Sequence, residues 1–255
     1  MKKFKIKIRR ELKIVAGLLL LGLLIAFSER KHSNITIQDV QIKMENIGDN
    51  HFLDESDIVG LMQTREDMLR GAELRDIDLN EIEKRIRHDR YVDDAELYND
   101  LRGNLVVNVS LRRPVARIIR NDGPDGYIAG DGTIMPSSDK FTSRVTLVGG
   151  AHAAELLHLQ NINDSEEGSS VLDLLNFIHE DEFWRAQVSQ IDIDKKGRIF
   201  MYPQVGDERI EFGKPEDLEP KFKKLKIYYK EILPRMGWNK YDRVNLEYEG
   251  QIVAE

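Results

Sequence analysis

No cysteine occurs in the 255 residues. The chain therefore has no disulfide staple, no thiol nucleophile and no thiolate metal site. It also lacks a phosphate-cradling P-loop, a dinucleotide-binding glycine pattern and a G-x-S-x-G nucleophile elbow. Cations are in deficit, 38 Lys and Arg against 45 Asp and Glu, for a formal charge of −7. Seven cations and one acid fall within the first thirteen residues, so the remainder carries a formal −13. An exterior that acidic argues against nucleic acid, which selects a basic stripe. Hydrophobic content of 41% and charged content of 33% are ordinary for a folded protein and exclude disorder of the whole chain.

Long apolar runs are scarce as well. The one present is residues 14–27, IVAGLLLLGLLIAF, preceded by Lys2, Lys3, Lys5, Lys7, Arg9, Arg10 and Lys13. Fourteen helical residues rise about 21 Å against a hydrocarbon core of about 30 Å. Adding Leu12 and Ser28, with Lys13 snorkelling, closes much of the gap. The run is expected to be a single-pass anchor, with Ile14, Leu18, Leu21, Leu24 and Phe27 in the bilayer. The basic flank keeps the first residues cytoplasmic and sends the rest across the membrane. The rival is a cleaved signal peptide, for which Ala26-Phe27-Ser28 is a passable site, leaving a secreted or periplasmic envelope enzyme or binding protein.

Beyond a short polar stalk, residues 29–34, the hydrophobic period changes repeatedly. Ile35, Ile37, Val40, Ile42 and Met44 nearly alternate and predict a strand with a half-shift near Asp39. Asp54 is a plausible N-cap for a helix with Ile58, Leu61 and Met62 on one face. Asp78 with Glu81 opens a second helix, whose stripe is Leu79, Ile82 and Ile86. After Tyr91-Val92 a strand follows through Ala95 and Leu97. After a turn at 100–104, Leu105, Val107, Val109 and Leu111 alternate strictly. The order β-α-α-β-β describes a small α+β unit with helices on one sheet face.

That order, closed by Arg112-Arg113-Pro114-Val115-Ala116, resembles the POTRA domain of the cell-division family FtsQ/DivIB. The passage around Tyr91-Val92 and Ala95-Glu96-Leu97 is similar to the same family. It departs in having Asp89-Arg90 where a proline is usual and Leu111 where a glutamate is usual. Arg113-Pro114 is expected to be a domain junction, with Pro114 interrupting the strand ladder because it has no N–H.

From 115 the pattern is mostly β. Turns are expected at 121–126, 130–132, Lys196-Gly197 and Gly206-Asp207, and strands at 127–129, 133–135, 145–148, 188–193, 199–202 and 209–212. Residues 161–170 are expected to be a mobile loop before a helix that buries Val171, Leu174, Leu175 and Ile178. A last helix is expected from Pro215 to Pro234, facing the sheet with Leu218, Phe222, Leu225, Tyr229 and Ile232. Residues 244–254 then read as a closing strand, similar to the one that ends FtsQ of the Bacteroidetes type. The expected domains are a basic tail 1–13, an anchor 14–28, a stalk 29–34, a POTRA domain 35–114 and a β-domain 115–255. The fold class is α+β.

Residues with tempting chemistry have plainer readings. His152-x-x-Glu155-x-x-His158 would place its histidines on opposite sides of a helix, unlike a zinc-binding HExxH pair. Asp192-x-Asp194-x-Lys196-Gly197 starts like a calcium loop, but its fifth position is Lys196 and its twelfth is Pro203. The pairs Asp93-Asp94 and Glu166-Glu167 read as solvated faces. No catalytic residue, cofactor or metal is expected, and neither is nucleic acid or a small-molecule substrate.

The C-terminal region carries the functional expectation. A closing strand is a natural sheet edge, and an edge offers unpaired backbone groups to another chain. Beside it in sequence lies a helix with Lys223, Lys226 and Lys230 at helical spacing. The family resemblance implies FtsB-like and FtsL-like divisome partners, the inner membrane and the septum. The candidate partner-binding residues are Lys223, Lys226, Lys230, Leu246, Tyr248, Gly250, Gln251 and Val253.

Overall fold

The computed structural model describes residues 18–21, 36–46, 48, 50–63, 66–120 and 123–255. Leu18 to Leu21 are helical and exposed. The rest of the expected anchor, including Ile14, Leu24 and Phe27, lies outside the described residues, as does the stalk 29–34. Among the described residues no helix is long and apolar enough to cross a membrane.

The chain forms two compact units that are not contiguous in sequence. The first holds described residues up to Met44, with Glu55–His88 and Asp94–Val109; the second holds Glu45–Asp54, Asp89–Asp93 and Ser110–Glu255. The segments 45–54 and 89–93, which the sequence pattern assigns to the first domain, are thus packed with the second.

The first unit holds most of a sheet in the order β1-β3-β2, made of β1 (Val40–Glu45), β2 (Val92–Asn99) and β3 (Leu105–Leu111), whose end residues Glu45, Val92, Asp93, Ser110 and Leu111 group with the second unit. In β3, the central strand, Leu105, Val106 and Val107 are all buried, where strict alternation would leave Val106 outside. The half-shift near Asp39 is real. Asp39 Oδ1 accepts from the Val40 N–H at 2.9 Å, while its carbonyl accepts from Leu105 N–H. Three helices accompany the sheet: α1 (Glu55–Met62), the single turn α2 (Glu66–Leu69) and α3 (Leu79–Arg87). Asp78 caps α3 by accepting from Glu81 N–H at 3.0 Å, and Lys84, Arg85 and Arg87 complement its C-terminal dipole. Ile58 and Met62 of α1 and Ile82 and Ile86 of α3 are buried. The turn between β2 and β3 is tied by Asp100, whose carboxylate accepts from Arg102 and Asn104 N–H at 2.8 Å each.

The second unit is built on a nine-stranded sheet in the order β12-β11-β10-β9-β8-β7-β4-β5-β6. Its strands are β4 (Pro114–Ile118), β5 (Gly126–Ala129), β6 (Ile134–Pro136), β7 (Thr146–Gly149), β8 (Val188–Ile193), β9 (Ile199–Pro203), β10 (Arg209–Gly213), β11 (Arg243–Asn245) and β12 (Val253–Ala254). The pairs β4–β7, β7–β8 and β10–β11 are parallel and the others antiparallel. Pro114 does not end a ladder; it starts β4, opposite Ala129, with the register shifting before Ala116. A proline at the first strand position forfeits no interior bond.

The helices are α4 (Ala153–Leu156), α5 (Glu166–Glu180), α6 (Glu182–Gln187), α7 (Leu218–Ile227) and α8 (Leu233–Met236). Residues 161–170 are a fixed junction, not a loose loop. Asn161 and Asn163 side chains each donate to the Asp131 carbonyl at 3.1 Å, and Ser165 caps α5 by accepting from Gly168 N–H at 3.0 Å. A Cβ at Gly168 would stand 1.9 Å from the Ile162 carbonyl, so glycine is required there. Val171, Leu174, Leu175 and Ile178 are buried, as their spacing predicts.

Both faces of the sheet are covered, and β5 shows it, because all four of its residues are buried. Ile128 belongs to the larger core, in which Phe222 lies among Phe177, Trp184 and Phe212 at ring separations of 4.5, 4.9 and 5.3 Å. Tyr127 and Ala129 point the other way, into a small cluster with Phe52 and Met135. Phe52 stacks on Tyr91 at 5.0 Å and meets Tyr127 and Phe141 edge-on, each at 5.1 Å. These rings are the reason that segments 45–54 and 89–93 belong to this unit.

Candidate protein-interaction edge

The last helix starts later than its proline suggests. Pro215 precedes it, Asp217 takes a left-handed conformation with φ of 55°, and α7 begins at Leu218. Pro234 does not stop it either. One π turn, Tyr228–Ile232, shifts the hydrogen-bond phase so that Leu233 N–H donates to the Tyr228 carbonyl. The helix resumes as α8 with Pro234 in its first turn, where the missing N–H does no harm. Gly237, at φ of 105°, ends it.

Residues 244–254 are not one strand. β11 is three residues long and runs parallel to β10; the chain turns over, Gly250 taking a φ of 67°, and β12 returns antiparallel. Leu246 is 0% exposed within the larger core, so this candidate contact is a core residue and not a partner anchor. Lys224 holds the turn in place: its Nζ donates to the carbonyls of Leu246 at 2.5 Å and Tyr248 at 2.7 Å. Glu211 gathers the strands laterally, accepting from Asn245 Nδ2 at 2.9 Å and pairing with Arg209 at 3.1 Å.

The two edges of the sheet are finished differently. At β6, the Ile134 N–H donates to the Gln160 carbonyl at 3.0 Å and its C=O accepts from Arg90 at 3.3 Å. The Tyr91 hydroxyl donates to the Pro136 carbonyl at 3.1 Å. At β12, Arg243 and Glu255 exchange both backbone bonds, at 3.1 and 2.9 Å. The next pair, Val244 and Ala254, is therefore non-hydrogen-bonded, and the N–H and C=O of Ala254 point away from the sheet. No described residue bonds to them.

Around this edge the remaining candidates separate. Tyr248 is 52% exposed, Gly250 and Gln251 are exposed, and Val253 is half-buried in β12. Lys226 and Lys230 both lie 5.9 Å from the Phe183 ring centroid, a cation–π arrangement that brings the two together. Lys223 is exposed, with no such aromatic partner among the described residues. Sequence reasoning passed over three exposed apolar side chains here: Ile227, Met236 and Trp238. Trp238 had a legible signal, a tryptophan immediately after a helix-ending glycine.

Glu208, just before β10, was also unforeseen. It is 0% exposed, and its carboxylate lies beside the buried hydroxyls of Tyr228 and Tyr229, with no cation paired to it among the described residues. Burial raises the carboxyl pKa, and the Glu208 charge in turn helps raise those of both tyrosines.

The motifs with plainer readings are also located. His152 Nδ1 meets Glu155 at 2.8 Å, while His158 is exposed beyond the end of α4. Asp194 accepts from Lys196 and Arg198 N–H at 2.8 and 2.9 Å, which makes its segment a hairpin turn. Among the described residues no group of three potential ligands is placed to hold a metal ion.

Comparison with protein families matches residues 113–255 to "FtsQ/DivIB, C-terminal related" and residues 36–110 to the POTRA-like domain. The first match takes in every strand of the nine-stranded sheet and more than half of the chain. No curated protein matches. A POTRA-like unit followed by this sheet domain, in this order, makes the chain a member of the FtsQ/DivIB family of non-enzymatic cell-division proteins.

Proposed function

We propose that the chain is a single-pass inner-membrane component of the divisome that links other division proteins at the septum and helps control septal peptidoglycan synthesis. Residues 14–28 anchor it, the tail 1–13 stays cytoplasmic, and the two folded units stand in the periplasm. The partners are FtsB-like and FtsL-like proteins, one of which adds an extended segment to the β12 edge. The observation that carries this reading is the outward N–H and C=O of Ala254, open at an otherwise finished sheet.

Two residues of β12 provide few backbone bonds, so side chains must supply most of the affinity. Tyr248 is the anchor, presenting an exposed ring on a turn that Lys224 holds rigid. Lys223, Lys226 and Lys230 attract an acidic segment and act on the association rate more than on the lifetime.

The test is co-purification of the full chain with the FtsB-like/FtsL-like pair. Tyr248→Glu should abolish capture while the melting profile is kept. Undiminished capture would move the binding surface elsewhere. The N-terminal sequence of the mature protein tests the anchor, since cleavage near Ser28 would make the product a secreted one.

A further inference from the structure

A second site lies in the C-terminal unit, away from the β12 edge in sequence and independent of the reading above. It is a pocket of about 460 Å³, assembled from the segment around Asn50, the β3–β4 junction, residues 143–145, and the end of α5 with α6. Its size suits a small ligand. Among the described residues that line it, the ionisable ones are Arg113, Arg144, Arg185 and His179. Such a grouping of cations is uncommon in a chain of formal charge −7. None of the three arginines forms an ion pair with a described acid. Arg113 instead donates to Asn46 Oδ1, and Arg185 donates to the His179 carbonyl at 3.0 Å. These bonds orient the guanidinium groups without neutralising them.

The buried side of the pocket adds an independent mark. Asn50 is only 6% exposed, and its Nδ2 donates to the Arg112 carbonyl at 2.6 Å. That bond fixes the amide, leaving Oδ1 buried with no donor. A buried acceptor without a donor is costly, and a ligand hydroxyl or N–H would relieve it. The His179 imidazole reports the same field. Burial and then Arg185 hold its pKa below the usual histidine range; Glu180 opposes them, and Arg113 adds a lesser lowering effect.

We propose that this pocket binds a small organic anion, its carboxylate or phosphate seated among Arg113, Arg144 and Arg185 and an adjacent hydroxyl or N–H donating to Asn50 Oδ1. Arginine's fork matches either oxyanion, and the asparagine selects ligands that carry a donor beside the charge.

The experiment is calorimetric titration of the full chain, in detergent, with four probes. Lactate and propionate form a carboxylate pair with and without a hydroxyl; glycerol 3-phosphate and inorganic phosphate supply the phosphate arm. Saturable binding is expected for lactate or glycerol 3-phosphate, and which of them binds identifies the anion. A donor-bearing ligand should bind about 5-fold or more tightly than its donor-free counterpart, the worth of one buried hydrogen bond. Arg144 and Arg185 are both exposed, so the double variant Arg144→Gln/Arg185→Gln should keep its melting temperature while binding falls about 10-fold or more. In wild type the bound anion should raise the His179 pKa, followed by its imidazole proton resonances. Failure of all four probes to saturate, or equal binding by the double variant, would overturn the site. Equal affinity for lactate and propionate would overturn the role given to Asn50.

Discussion

At the β6 end of the nine-stranded sheet, Gln160, Arg90 and Tyr91 occupy the outward backbone groups of Ile134 and Pro136. At the β12 end, the outward groups of Ala254 meet no described residue. The fold thus possesses a device for closing an edge and uses it at one end. Closure takes side chains from distant segments, and these bring their rings with them: Tyr91 both caps β6 and stacks on Phe52. The open end is built differently. It is very short, which by itself limits promiscuous pairing, and it is stiffened from beneath by Lys224 and Glu211.

The sharpest way to break the comparison is to remove the open edge. Deleting residues 250–255 eliminates β12 and the exchange between Arg243 and Glu255, and partner capture should fall below detection in a pull-down. The cut also exposes β11, so Tyr248→Glu is the cleaner variant. It should lose capture with a melting temperature within about 2 °C of wild type, because its side chain is mostly in solvent.

Damaging the closed edge should do the reverse. Tyr91→Ala removes the cap on Pro136 and the stack on Phe52, and should cost about 2–4 kcal/mol in urea unfolding. Capture should remain as in wild type.

Glu208 adjoins β10, two strands in from the open edge, and sharpens the contrast through pH. Its folded pKa is raised above the unfolded value by burial. Its protonated form therefore stabilises the fold fully below the unfolded pKa, and that contribution is lost as pH rises through the folded pKa. Glu208→Gln, neutral at every pH, should be more stable than wild type by about 1 kcal/mol or more at pH 8. The difference should vanish near pH 4, as urea midpoints at the two values will show.

The smallest effect is expected from charge. Reversing Lys223, Lys226 and Lys230 to glutamate should slow association a few-fold at about 0.05 M salt and hardly at all near 0.5 M. Stopped-flow mixing with the partner pair measures it.

Periodicity and caps made the local elements legible. Asp78 with Glu81 marked the start of α3, and Lys196-Gly197 marked the hairpin between β8 and β9. What escaped was set by distance in the chain. Lys224 has the same sequence signature as Lys223, yet it faces the Leu246 and Tyr248 carbonyls, and burial lowers its pKa while Glu249 opposes the shift. The alternation of Val244, Leu246 and Tyr248 implied a long strand, but Gly250 and Lys224 convert it into a turn that returns as β12. Glu208 gave no sign of burial, standing between Asp207 and Arg209 in a polar stretch. The arginine pocket draws on four separated segments, which no local pattern could join.

Phe52 carries a consequence for the order in which the protein folds. All three of its ring partners, Tyr91, Tyr127 and Phe141, come after it in the chain, the last well inside the β-domain. Contacts within the first unit, such as those of α1 with α3, close over much shorter loops. Loop closure disfavours the longer pairing and slows structures that depend on it. The sheet of the first unit cannot close until β3 has been made, and by then Tyr91 has emerged, so Phe52 can already stack on it while it waits for Tyr127 and Phe141. The ring cluster of the second unit is in this sense started by early residues and finished by later ones, and it is complete only when Phe141 has been made.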